Sequence, residues 1–228
     1  MFSPQGPSLR ELFVQAMSSV ERGYDLLAPK FDHTPFRTPS GVLEATAAAL
    51  TGPFEAGLDV CCGTGAGLSV LESVGCARVT GVDFSAGMLA EAHRAHPAAT
   101  LVRADVRSLP FAGDFDLAVS FGALGHFLPS ERPAVFAGVR RALRPGGLFA
   151  FPIGDTPPVA SVAGVATLGF DLAMRVRNAV WRPPFVMYYR TTPLPALRAD
   201  LTTAGFTVVS TDLITPGCRL VLARTPGP

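Results

Sequence analysis

The first 50 residues carry a helical pattern of hydrophobic and polar positions. In residues 8–28, which open on a serine suited to cap a helix, apolar side chains recur at spacings of three and four and predict one amphipathic helix. After a turn-rich segment, a second helix is predicted with Thr38 as its N-cap and Pro39 at its first position, running to Leu50. Residues 1–52 are therefore expected to form a helical cap.

From residue 57 the pattern changes to short apolar runs that alternate with helical segments. The runs predict five strands: LDVCC (58–62), RVTGVD (78–83), TLVRAD (100–105), FDLAVSFG (115–122) and LFAFPI (148–153). The intervening segments predict three helices: GLSVLESVG (67–75), one capped by Ser85 and stopped before Pro97, and one capped by Ser130 and terminated by Pro145-Gly146-Gly147. Strands separated by helices of this length predict a parallel sheet covered by helices on both faces.

The alternation stops after Asp155. Residues 156–190 are apolar and aromatic, contain four prolines and show no regular pattern. Regularity returns in a helix, LPALRADLTTAGF, and in two strands, FTVVSTDLI and CRLVLART, which read as an antiparallel pair joined through Pro216-Gly217. The segment 156–190 is interpreted as a lid over a cleft, with a helix pair on the sheet edge or a subunit interface as alternatives.

Together these patterns predict an α/β fold. It is a doubly wound, Rossmann-like sheet of seven strands, mostly parallel with a C-terminal antiparallel strand, preceded by the N-terminal helical cap. The core is expected to span residues 53–228 as a single domain with the cap, and to carry the lid-like insert at 156–190.

Composition narrows the possible functions. The formal net charge is +1 and the basic residues are scattered, which argues against a nucleic-acid-binding face. The four cysteines form no CxxC pair, and no histidine stands at ligand spacing, so no metal site is expected. The N-terminus lacks the pattern of a signal peptide, and the apolar stretch 156–170 is too short to span a bilayer, so a cytoplasmic protein is expected.

The stretch GLDVCCGTGAG, residues 57–67, raises two possible cofactor classes. A glycine-rich loop after the first strand lets the backbone approach a ligand, and the helix that follows favours negative or polar ligand groups. A dinucleotide fingerprint requires a third glycine, three residues after the second, at the position that Leu68 occupies. A nicotinamide-dependent oxidoreductase therefore fits poorly but stays an alternative.

Four stretches in order match a different pattern. LDVCCGTGAG, VTGVDFSAGMLAEA, RADVRSLPFAGDFDLAVS and LRPGGLF resemble the class I S-adenosylmethionine-dependent methyltransferases over residues 55–153. The chain departs from that family at Cys61, where a glycine is usual; the cysteines are interpreted as packing residues. LDVCCGTG, GVDFS and LPF also resemble the quinone-biosynthesis C-methyltransferases, but the usual arginine–asparagine signature is missing after the fourth strand.

The resemblance implies S-adenosylmethionine as cofactor and assigns roles to the glycine loop and the strand ends. Gly63, Thr64 and Gly65 would lie against its methionine and ribose portion, and Asp59 would order that loop. Asp83, at the end of the second strand, would accept hydrogen bonds from both ribose hydroxyls.

The adenine and the rest of the cofactor are assigned further residues by the same resemblance. Phe84 and Met88 would pack against the adenine, Asp105 would accept from its amino group, and the amide of Val106 would face a ring nitrogen. Three more positions would border the cofactor: Phe121 after the fourth strand, Tyr24 in the cap, and Arg37, which could reach the cofactor carboxylate.

The resemblance implies methyl transfer to a small molecule. The apolar segment 156–190 favours a hydrophobic or aromatic acceptor, and His126 is the candidate general base if the acceptor must lose a proton; a structural histidine is the alternative. A non-catalytic scaffold with this fold is a further hypothesis. Partners are expected to be a small-molecule acceptor and no nucleic acid, in a monomer or homodimer.

Overall fold

The structure, a computed structural model, describes residues 5–34, 36–155, 160–180 and 192–227. The helices are α1 Leu9–Ala16, α2 Val20–Leu27, α3 Ser40–Ala49, α4 Ala66–Ser73, α5 Ala86–Ala95, α6 Arg132–Ala142, α7 Val162–Val180 and α8 Leu194–Thr203. The strands are β1 Ala56–Val60, β2 Arg78–Asp83, β3 Thr100–Arg103, β4 Phe115–Val119, β5 Leu143–Gly154, β6 Thr207–Thr215 and β7 Cys218–Arg224. Short 3₁₀ helices cover Ala28–His33, Val106–Ser108 and Leu124–His126.

The seven strands form one sheet in the order β3-β2-β1-β4-β5-β7-β6. Strands β1 to β5 pair in parallel, whereas β7 pairs antiparallel with both β5 and β6. The predicted mostly parallel seven-stranded sheet with a C-terminal antiparallel strand is confirmed. The strand order reverses between β1 and β4, and in such sheets ligands bind at the carboxyl ends of the strands beside this switch point.

Hydrophobic clusters cover both faces of the sheet. On one face Phe136 of α6 packs with Phe149 and Phe151 of β5. The ring centroids of Phe149 and Phe151 lie 4.6 Å apart. On the other face Leu71 of α4 belongs to a second cluster, formed with the strand side chains that point to that face, among them Leu148. All five residues of β1 are buried, as the continuous apolar pattern of a central parallel strand requires.

The single N-terminal helix predicted over residues 8–28 is wrong. Two eight-residue helices, α1 and α2, occupy that span, and Ser19 caps the second by accepting a hydrogen bond from the amide of Arg22. The hydroxyl of Ser18 donates to a backbone carbonyl of α1. Serine side chains compete with the backbone for hydrogen bonds, so two adjacent serines end one helix and begin another.

Several predicted boundaries shift by one or two residues. Helix α3 begins at Ser40 with Pro39 as its N-cap, in place of Thr38, and β1 ends at Val60, so the cysteine pair belongs to the loop. Helix α6 is capped by Glu131 rather than Ser130. Such shifts are ordinary for helix and strand ends.

The predicted end of α6 at Pro145-Gly146-Gly147 is also wrong. The helix ends at Ala142, and β5 begins directly at Leu143, with an irregular register against β4. Gly146 has φ +75° and donates its amide to the carbonyl of Pro226. The proline–glycine run therefore shapes the start of a strand instead of a helix terminus.

The segment 156–190 is more regular than predicted. Helix α7 covers 19 of its residues, whereas the aromatic residues Trp181, Phe185, Tyr188 and Tyr189 lie outside the described part of the chain. Many exposed positions of α7 are valines and leucines, which hid the alternation that usually marks a surface helix. In the described ranges, no helix has the length and apolar character needed to cross a membrane.

Candidate active site

A cavity of about 760 Å³ opens at the carboxyl ends of β1, β2 and β4. Its volume lies in the usual range for small-molecule sites. Among its lining residues are Tyr24, Arg37, Asp59, Gly63, Thr64, Asp83, Phe84, Met88, Asp105, Val106, Phe121 and His126. Of the residues proposed from the sequence, Gly65 does not line the cavity: it has φ +104°, caps α4 and lies against the ring of His96.

The glycine loop takes three left-handed backbone conformations in five residues. Cys61, Gly63 and Gly65 have φ values of +59°, +52° and +104°. The amide of Gly63 donates to Oδ2 of Asp83 at 2.9 Å, so the loop is fastened to the end of β2. Glycine adopts this conformation without strain, and Cys61 does so at a cost of about 1–2 kcal/mol.

Asp59 lies beneath the glycine loop and is 1% exposed. A Cβ at Gly67 would overlap its carboxylate, so the glycine is required for the close approach of α4 to β1. Neither carboxylate oxygen completes a hydrogen bond with the described residues. Burial and, second, the charge of Asp83 raise the pKa of Asp59 to about 8, against the opposing effect of the amides of Leu68 and Gly67.

Asp83 is 6% exposed and joins two parts of the site. Its Oδ2 accepts the amide of Gly63, and its Oδ1 accepts the amide of Ser85, both at 2.9 Å. Burial raises the pKa of Asp83, and these backbone hydrogen bonds act in the opposite direction. Each carboxylate oxygen has more than one acceptor direction, so both can still accept a hydroxyl from the cavity.

The third strand end is built differently from its predicted role. Asp105 caps the 3₁₀ helix that follows β3 and accepts the amide of Arg107, whose guanidinium also contacts it at 3.2 Å. Asp105 is therefore a helix cap, a role that the resemblance did not assign to it. Asp105 lines the cavity with the buried side chains of Val106 and Met88 beside it.

The N-terminal helices close the cavity from above. Asp25 of α2 accepts hydrogen bonds from the Ser85 hydroxyl at 2.6 Å and from the amide of Gly87 at 2.9 Å. Thr64 of the glycine loop donates to Asp32 at 2.8 Å. The cap is thus attached to the same two loops that carry Gly63 and Asp83.

Tyr24 and His126 meet at the wall of the cavity. The Tyr24 hydroxyl lies 2.7 Å from Nε2 of His126, and the two rings meet edge to face with centroids 5.4 Å apart. Four further aromatic side chains, Phe31, Phe36, Phe121 and Phe127, also line the cavity, and the ring of Phe31 lies 6.2 Å from that of Tyr24. Another histidine of the cap, His33, is exposed and does not line the cavity, so it is not a candidate base.

Comparison with known proteins relates part of the chain to methyltransferases. The family described as "Methyltransferase domain" matches residues 58–147. This stretch, which contains β2, β3, β4 and the glycine loop, is therefore similar to a methyltransferase domain. An uncharacterized methyltransferase of Synechocystis is 40% identical over 94 residues, which cover 41% of this chain and 44% of that protein. A demethylmenaquinone methyltransferase of Beutenbergia cavernae is 39% identical over 112 residues, which cover 47% and 44%.

Solved structures agree with this methyltransferase fold. An S-adenosylmethionine-dependent methyltransferase of Methanosarcina mazei has a TM-score of 0.61 at 20% identity, covering 78% of this chain and 95% of that one. One from Mesorhizobium loti has a TM-score of 0.59 at 24% identity, covering 81% and 97%. At these identities the likeness establishes the fold. The matches span less than half the length of the curated relatives.

The residues of the cavity fit the predicted cofactor, S-adenosylmethionine, which the matched domain family uses. The left-handed glycine loop provides a backbone surface without side chains at Gly63, where a Cβ would meet nothing within 4 Å. Asp59 supplies a buried carboxyl group in the wall of the cavity, and neither of its oxygens completes a well-aligned hydrogen bond with the described residues. A nearby cation favours the ionised form of a carboxyl group, so a cofactor with cationic sulfonium and ammonium groups suits Asp59.

The cysteines of the glycine loop are not activated. Burial, followed by the charges of nearby aspartates, raises the pKa of the thiols of both Cys61 and Cys62. Neutral thiols are poor nucleophiles, which agrees with the interpretation that they are packing residues. In the described ranges, no group of three or more His, Cys, Asp or Glu side chains lies together as a metal site would require.

Sequence reasoning missed the residues of the turn-rich segment in the cap. Phe31 and Phe36 line the cavity, and Asp32 contacts Thr64. Their aromatic spacing follows neither a helical nor a strand period, because a 3₁₀ helix and an irregular turn present them. The density of aromatic residues in a loop before the glycine motif was the available signal.

Proposed function

We propose that this chain is an S-adenosylmethionine-dependent methyltransferase that acts on a small hydrophobic or aromatic acceptor. The observation that carries the cofactor assignment is the hydrogen bond from the amide of Gly63 to Asp83, because both residues line the cavity. Residues 1–52 act as the cap of the site, and residues 53–228 as its core. A monomer or homodimer without a nucleic-acid partner is the expected working form.

The proposed cofactor roles follow from position. Asp83 binds the ribose hydroxyls, and Phe84 and Met88 hold the adenine. Gly63 and Thr64 lie along the methionine portion above Asp59, while Gly65 acts indirectly by setting the turn into α4. Asp105 accepts from the adenine amino group and shares its oxygens with the guanidinium of Arg107, while the amide of Val106 donates to a ring nitrogen.

The acceptor assignment is supported by the apolar part of the cavity lining. Its members are Val20, Phe31, Phe36, Val42, Phe121, Phe127 and Leu128. Aromatic walls favour flat apolar molecules, because the rings bury a large area with little loss of conformational freedom. The cofactor, when bound, supplies an activated methyl group. The chain's own contribution is to hold the acceptor in line, exclude water and take up a proton at His126.

The nicotinamide alternative is disfavoured by Leu68. Its side chain is fully buried at the position where the dinucleotide fingerprint needs a glycine. Isothermal calorimetry separates the hypotheses: we expect S-adenosylhomocysteine to bind the purified chain with micromolar affinity and NAD to show no heat of binding. Binding of NAD without S-adenosylhomocysteine would overturn the proposal, and binding of neither by the folded chain would favour a scaffold protein.

A further inference from the structure

The contact between Tyr24 and His126 joins two elements that are 102 residues apart. Tyr24 lies on α2 of the cap, and His126 ends the 3₁₀ helix after β4. Both side chains are half-buried and line the cavity. A separation of 2.7 Å between the hydroxyl oxygen and Nε2 is a short, well-formed hydrogen bond.

This hydrogen bond changes how a proton could reach the histidine. The Tyr24 oxygen lies within hydrogen-bond distance of Nε2 and so occupies the position from which a molecule in the cavity would use that nitrogen directly. The hydroxyl oxygen has one proton and two lone pairs, and it can accept a hydrogen bond while it donates one. A proton leaving an acceptor therefore has a path through Tyr24 to His126.

We infer that Tyr24 and His126 form one proton-transfer pair, in which the Tyr24 hydroxyl meets the acceptor and His126 stores the proton behind it. The inference rests on the proposed methyltransferase function and names its acceptor class: an aromatic hydroxyl. Such a molecule fits the rings of Phe31 and Phe121 and has an acidic proton on the atom to be methylated. Tyr24, predicted as a cofactor contact, is thereby reassigned to the acceptor.

The proposed step balances as follows. The O–H bond of the acceptor breaks, and its proton binds the Tyr24 oxygen while the proton of Tyr24 moves to Nε2 of His126. The electron pair left on the acceptor oxygen forms the new bond to the methyl carbon, and the pair of the broken carbon–sulfur bond stays on sulfur. The products are a methyl ether, a neutral thioether and an imidazolium.

The pair is tested first in the free protein by nitrogen-15 NMR of its four histidines. A His126→Asn variant identifies the signal of His126. If Tyr24 donates to Nε2, neutral His126 is held as the tautomer protonated at Nδ1, and Tyr24→Phe shifts the population toward the Nε2 tautomer. Phe31→Leu, which alters a ring neighbour of Tyr24 at 6.2 Å without removing a hydroxyl, is the matched control and should leave the tautomer unchanged.

An Nε2-protonated His126 in the wild type, or a tautomer insensitive to Tyr24→Phe in a variant with unchanged thermal unfolding, would overturn the pair. These results do not depend on methyl transfer. Binding of S-adenosylhomocysteine, measured in parallel, reports separately on the proposed function, because its absence would reject that function and leave the NMR result standing.

Turnover is tested with catechol and 2-naphthol as probes, by formation of S-adenosylhomocysteine. Tyr24→Phe should lower the rate at least about a hundredfold, the scale of general acid–base catalysis, with unchanged affinity for S-adenosylhomocysteine. The double variant with His126→Asn should be no slower than His126→Asn alone, because the two residues act as a unit. Normal turnover by Tyr24→Phe refutes the relay, and no turnover of either phenol by the wild type refutes the acceptor class.

Discussion

Replacing Asp83 with alanine should affect stability and cofactor binding separately. The carboxylate accepts two backbone amides, those of Gly63 and Ser85, at 2.9 Å each, in a site that is 6% exposed. Each amide left without a partner costs about 1–3 kcal/mol, so Asp83→Ala should lower the free energy of unfolding by about 2–6 kcal/mol. The loss of hydrogen bonds to ribose should in addition weaken S-adenosylhomocysteine binding at least about tenfold, or about 1.4 kcal/mol.

The chain offers a matched control at the opposite end of β1. Asp116 also accepts two backbone amides, those of Glu55 and Ala56, at 3.0 and 2.9 Å, but it does not line the cavity. Asp116→Ala should therefore destabilise the protein to a similar degree and leave cofactor affinity unchanged. Urea unfolding gives the first quantity and calorimetry on the folded variants gives the second. Wild-type affinity in folded Asp83→Ala, or an equal loss of affinity in Asp116→Ala, would refute the assigned role.

Three further substitutions follow from the geometry of the site. The pKa of Asp59 is raised to about 8 in the folded chain, so between about pH 4 and about pH 8 the folded chain holds a proton that the unfolded chain has released. The contribution of this proton to the free energy of unfolding is complete below about pH 4 and is lost as the pH rises toward 8. Asp59→Asn should flatten this decline in urea unfolding, and an unchanged slope would contradict it. Cys61→Gly should be more stable than Cys61→Ala by about 1 kcal/mol, the reverse of the usual order, because of the left-handed φ; thermal unfolding decides. His126→Asn should lower single-turnover rates by about 100- to 10,000-fold while S-adenosylhomocysteine binds normally, and near-normal rates would remove it from the mechanism.

The sheet was predictable because its signals are local. RVTGVD is the strand Arg78–Asp83 residue for residue, and Ser85 caps the next helix as expected. The strand ends carry Asp59 and Asp83, and parallel strands bring their carboxyl ends to one edge, so the sequence order alone placed these acids near one another. The local pattern therefore contained most of the cofactor half of the candidate site.

The acceptor half could not be predicted in the same way. Its central contact, between Tyr24 and His126, depends on how two short elements fold over the sheet, and no periodicity reports that docking. The break between α1 and α2 depends on hydrogen bonds of Ser18 and Ser19, and a hydrophobic pattern contains no information about them. Helix α7 was missed because exposed apolar residues removed its contrast between faces.

The N-terminal cap connects the cofactor half of the candidate site to its acceptor half. Helices of eight residues, such as α1 and α2, are not stable alone in water, so the core must hold them. It does so through Leu27 and Ala28, which are buried, and through Asp25, which accepts hydrogen bonds from Ser85 and Gly87. Ser85 also donates its amide to Asp83. Ser85 therefore contacts both Asp83, which is proposed to hold the ribose, and the helix that carries Tyr24. The order of the cofactor loop and the position of the acceptor wall depend on the same hydrogen bonds.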